Sequence, residues 1–144
     1  MAVLVALVKS PTTVPLLPWV FIAAMNFSLS SEKPESGADA VVSLGGEVDL
    51  YTAPELKQEL HRLVGEGATR IVIDMTDTTF IDSTTLGVLL SVVKRVRPEG
   101  GSVVLVCPDR NVKRIFEITL LDRVFTIVDT REEAFDEMAS SASA

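Results

Sequence analysis

The stretches RIVIDM (70–75) and SVVLVC (102–107) are short, β-branched and apolar at nearly every position, so neither has a side suited to water. Strands read this way when both faces of their sheet are covered. Around them lie segments of helical period. In YTAPELKQELHRLVGEG, Leu56, Leu60, Leu63 and Val64 fall at i, i+4, i+7 and i+8, with Lys57, Gln58, His61 and Arg62 opposite. Leu86, Leu89, Leu90 and Val93 repeat the spacing up to Pro98, and Val112, Ile115 and Phe116 mark the inward side of NVKRIFEIT. FSLSS and AVVSL predict two opening strands around the turn-rich EKPESGAD, FTIV a last strand, and REEAFDEM a final helix capped by Thr130. Two strands followed by helix–strand repeats predict an α/β fold. It is a small open mixed β-sheet with mostly parallel pairing, packed by about four helices.

In such a sheet the loops at the carboxyl ends of the strands gather at one edge and tend to carry function. Two loops qualify, GEVDLYT before the first helix and DMTDTTFIDSTT before the second. Thr52 with Glu55 predicts a capping box for the first helix, and Gly65 and Gly67 end it. Asp82 predicts the cap of the second, which places Ser83, Thr84 and Thr85 in its first turn. Hydroxyls are common at helix starts. Three in a row after the acidic run Asp74, Asp77, Asp82 also mark a place where a phosphoryl group would meet free N–H donors and the positive end of the helix dipole.

The rest of the composition narrows the chemistry. The 144 residues suit one domain. Twenty acidic against 13 basic residues, a formal charge of −7, argue against a nucleic-acid surface. The densest basic group, Lys94, Arg95 and Arg97, suits a helix C-terminus. One cysteine, Cys107 in an apolar run, reads as a buried inert thiol of a reducing, cytoplasmic compartment. A single histidine, His61, reads as a solvated helix residue and supplies neither a metal set nor a catalytic triad. No phosphate-cradling GxxxxGK[ST] is present, and no cofactor, metal or catalytic residue is expected, so the chain is not read as an enzyme.

Residues 1–24 differ from the remainder of the chain: 10–31 carry no charge, and Pro11, Pro15 and Pro18 oppose a spanning helix. They are read as a hydrophobic appendage ahead of a start at Met25. A membrane or export segment, or an extra element packed on the domain, are the alternatives. Residues 25–138 are then the domain, and 139–144, ASSASA at the end of the chain, a disordered tail.

Three blocks, GEVDLYTAPELKQEL, IVIDMTDTTFIDSTTLGVLL and NVKRIFEITLLDRVF, together resemble the STAS domain of bacterial anti-sigma factor antagonists over about residues 27–138. The resemblance implies a protein that binds an anti-sigma factor, itself a serine kinase using ATP, and so frees a sigma factor. It implies Ser83, directly after Asp82, as the phosphoacceptor, with a separate serine phosphatase reversing the modification. By the same likeness Asp49, Asp82, Ser83 and Thr84 are partner-binding, and Asp49 is the aspartate of the neighbouring loop. The chain departs from the family at Thr85 and Leu120, where glycine is usual. Thr85 is expected to add bulk beside the acceptor, and Leu120 to strain the backbone if φ there is positive. The alternative is a STAS scaffold or sensor module that binds a nucleotide, lipid or other small ligand without phosphorylation. Nucleic acid and, unless residues 1–24 act as an anchor, membrane are not among the expected partners.

Overall fold

The computed structural model describes residues 26–143. The hydrophobic N-terminal appendage lies outside them. Five strands form one sheet in the order β1-β2-β3-β4-β5: Phe27–Glu32, Ala40–Val48, Arg70–Ile81, Ser102–Val106 and Thr126–Val128. β1 pairs antiparallel with β2, and every later neighbour is parallel. The helices among the described residues are α1 (Ala53–Gly65), α2 (Ser83–Val96), α3 (Arg110–Ile118) and α4 (Arg131–Ser143), with 3-10 turns at Arg97–Glu99 and Leu121–Arg123. This is the mixed α/β sheet that the sequence predicts.

Two cores follow from the two covered faces. On one, Val42, Leu44, Ile71, Ile73, Met75 and Leu105 pack under Leu56 and Leu60 of α1, Leu86 and Leu89 of α2, and Phe116 of α3. Phe116 meets Phe125 edge-to-face, ring centres 5.8 Å apart, an arrangement that aromatic quadrupoles favour. On the other, Val41, Val72, Val104 and Val106 pack under Ala134 and Met138 of α4. Alternate residues of β3 thus serve opposite cores, which is why RIVIDM has no polar side.

Several expectations need correction. The stretch DMTDTTFI is not loop: β3 continues through it to Ile81, because β2 also continues, and Glu47 and Val48 pair with Phe80 and Ile81. Gly45 and Gly46 permit this. A side-chain carbon on Gly45 would lie 2.4 Å from the Ser28 hydroxyl, and on Gly46 (φ 80°) 1.7 Å from the Asn26 carbonyl oxygen. The ladder shifts register on either side of the pair, as a bulge does. Thr52 makes no side-chain cap on α1. Its hydroxyl turns back and accepts the Asp49 N–H at 2.9 Å. Thr130 does cap α4, accepting the Glu133 N–H at 3.1 Å. That helix runs on to Ser143, through residues expected as a tail. Ala134 and Met138 anchor it, and alanine is a strong helix former. His61 is half-buried, not solvated, and its Nε2 is enclosed with no hydrogen-bond partner.

Candidate functional site

The pairing of Val48 with Ile81 brings the ends of β2 and β3 side by side, and with them the turns beyond each strand. Each turn is organised by an aspartate. Asp49 Oδ1 accepts the N–H groups of Tyr51 (2.9 Å) and Thr52 (3.2 Å), closing the turn into α1. Asp82, in extended backbone, accepts the Thr85 N–H at 3.1 Å and so caps α2. Both carboxylates therefore have an internal duty, satisfying backbone donors that the chain leaves free at a helix entrance.

Thr85 joins the two turns. Its hydroxyl donates to the Val48 carbonyl at 2.8 Å and lies 3.2 Å from Asp82 Oδ1. The side chain is fully buried. This corrects the expectation that it adds bulk beside the acceptor: it points under the helix, where glycine would leave a strand-end carbonyl without this donor. Ser83 and Thr84, the two positions before it, are exposed. The structure thus separates three consecutive hydroxyls into one that fastens the fold and two that face solvent. Sequence alone did not show which was which, because all three fall in one helical turn.

The exposed surface around Ser83 combines carboxylates with large apolar groups. Glu47 is exposed, and Asp49 and Asp82 half-buried. Leu50, Tyr51 and Phe80 are 60, 85 and 47% exposed. Those apolar residues were missed by sequence reasoning. Phe80 lies in a stretch read as loop, and Leu50 and Tyr51 resemble the start of the α1 stripe.

The remaining candidates lie elsewhere. Asp74 belongs to the α4 side of the sheet. Burial opposes its charge, but the Thr76 hydroxyl and Arg131, 2.6 Å away, outweigh this and hold its carboxyl below the usual range. Arg131 also reaches Glu32 (3.0 Å) and Ser43 (2.8 Å). Cys107 is buried, and desolvation pushes its thiol up to about 11, the state of an unreactive cysteine. A cleft of about 360 Å³ opens at the opposite edge of the sheet, lined by Ser31, Asp39, Arg62 and Glu66 among others. Several of its charges are already paired. Arg62 holds Glu59 at 2.6 Å and Glu66 at 2.8 Å, and Arg70 holds Asp39 at 3.3 Å. Among the described residues no group of three or more His, Cys, Asp or Glu is placed to hold a metal ion, and no helix is long and apolar enough to cross a membrane.

The STAS domain family model matches residues 30–134, which include both turns and α2. The chain belongs to the STAS domain family. It is 35% identical over 103 residues to the anti-sigma-B factor antagonist of Bacillus subtilis, covering 72% of this chain and 92% of that protein. Among solved structures, an anti-sigma factor antagonist from Mycobacterium paratuberculosis superposes with a TM-score of 0.68 at 29% identity. That likeness covers 78% of this chain and 94% of its counterpart. The unphosphorylated form of the anti-sigma factor antagonist SpoIIAA superposes with a TM-score of 0.60 over 78% and 97% of the two chains; at 22% identity it supports the fold alone. The role that the Bacillus subtilis relative supports for this STAS domain is that of an anti-sigma factor antagonist.

Proposed function

We propose that this protein is a phosphorylation-switched anti-sigma factor antagonist of the cytoplasm. Unmodified, it docks on an anti-sigma factor serine kinase through the edge that holds Asp49, Asp82, Ser83 and Thr84, and the sigma factor is released. The kinase phosphorylates Ser83, and a serine phosphatase restores the docking form. One observation above all supports this reading. In a chain of this family, Ser83 stands exposed in the first turn of a helix whose cap and neighbouring turn are fixed by other residues.

The energetics agree. A phosphoryl group adds about −1.5 to −2 charges directly after the Asp82 carboxylate, at the strand-end edge that also carries Asp49. Bringing such a charge uncompensated into an interface costs about 2–5 kcal/mol, and a hundredfold loss of affinity needs about 2.8 kcal/mol. The helix itself tolerates the group, since its free N–H donors and dipole favour an anion there. Incubation with the source organism's anti-sigma factor kinases and ATP tests the reading. Wild type is labelled and Ser83→Ala is not; equal labelling of the two sinks the assignment. A chain that no such kinase labels overturns the phosphorylation reading and favours the scaffold or sensor alternative.

A further inference from the structure

Gly87 stands one helical turn beyond Ser83, exposed on the same face of α2. A side-chain carbon added there would meet nothing within 4 Å, and the backbone has no positive φ. Glycine is the weakest helix former after proline. Gly45, Gly46 and Gly101 are required by atoms that would collide with a side chain. Nothing within the fold requires Gly87. It strips bulk from the helix surface beside the acceptor, where a second backbone could come close.

An independent observation comes from the neighbouring turn. Asp49 holds the backbone of Tyr51 and Thr52, and the turn leaves Leu50 and Tyr51 projecting into water. Phe80, paired with Glu47 at the end of β3, adds to the same edge. Large apolar side chains held out on an ordered turn are what a protein interface buries at its centre. The carboxylates of Glu47 and Asp49 flank them in the chain and Asp82 caps α2 at the same strand ends, so the complementary surface is cationic at its rim.

We propose that the partner seats its backbone against α2 at Gly87 while Tyr51 and Leu50 enter an apolar pocket rimmed by lysine or arginine. The proposal rests on Ser83 as the phosphoacceptor and takes the same anti-sigma factor kinase as the partner. Close seating at Gly87 brings the kinase within reach of the Ser83 hydroxyl, and the apolar prongs grip it from the β2 side.

The test is calorimetric binding of purified anti-sigma factors of the source organism to wild type, Gly87→Ala, Tyr51→Ala and Gly65→Ala, with urea unfolding of the same samples. Gly65, in the last turn of α1, is equally free of contacts and lies at the other edge, so it is the matched control. Both glycine replacements raise the urea midpoint. Gly87→Ala and Tyr51→Ala weaken docking about tenfold or more, while Gly65→Ala docks like wild type. A wild type that binds together with a Gly87→Ala or Tyr51→Ala that binds equally well overturns the proposal. A wild type that binds none of the anti-sigma factors overturns the reading of the site as a whole.

Discussion

Leu120 has φ +63°, the one positive-φ residue other than glycine among those described, and its side chain is 57% exposed. The left-handed conformation costs a residue with a Cβ about 1–2 kcal/mol, and little of that returns as burial here. Leu120→Gly is therefore expected to stabilise the domain by about 1 kcal/mol, read as a higher urea midpoint at unchanged slope. A lower midpoint would mean that the leucine side chain contributes more than its exposure suggests. Thr85 is the opposite case, a departure that the structure uses. Thr85→Val keeps shape and volume but removes the donor to Val48, and an abandoned buried acceptor costs about 1–3 kcal/mol. Thr85→Ser keeps the hydroxyl and should lose less. Equal losses in the two variants would show that packing of the methyl, not the hydrogen bond, accounts for Thr85.

Among the elements, those whose burial is one-sided or complete were legible. The leucines of α1 and α2 and the β-branched runs of β3 and β4 point to the observed faces, because apolar spacing records what an element is packed against. The carboxyl half of β3 was not legible. TDTTFI alternates few apolar residues, and its strand character comes from pairing with β2 across Gly45 and Gly46, the second of which opens the stretch GEVDLYT that reads as a loop. The cap on α1 was misread for a related reason: Thr52 and Asp49 compete for the same turn, and only geometry decides. Asp74, read as part of a solvated acidic loop, ties α4 to the sheet through Arg131. Asp74, Asp39 and Glu59 all have folded values held below the ordinary range. Their contribution is thus present above about pH 4–4.5 and is lost as pH falls through those depressed values. Asp74→Asn is expected to be less stable than wild type at pH 7 and to converge with it in acid. A gap that stays constant on acidification would assign the loss to packing.

At the scale of the whole molecule, the fold keeps the proposed switch apart from its stability. Both cores lie on the sheet faces, and the matched charges of Glu59, Arg62 and Glu66 occupy the edge away from Ser83. Ser83 and Thr84 touch neither core. The residues that fix their position, Asp82, Thr85 and Val48, sit beneath them and hold one another. A charge placed on the Ser83 oxygen therefore acts outward. It meets the positive end of α2 from within the chain and a desolvated partner surface from outside, so its effects on folding and on docking have opposite signs. Phosphorylated protein should unfold at the same urea concentration as unmodified protein or slightly above it, while its affinity for the anti-sigma factor falls about a hundredfold or more. Salt separates the contributions further. Docking of the unmodified form weakens as ionic strength rises, because exposed carboxylates facing cations are screened, whereas its urea midpoint changes little. If phosphorylation lowers the midpoint in step with affinity, the modification disturbs the fold itself, and the separation of switch from core argued from the buried Thr85 hydroxyl does not hold.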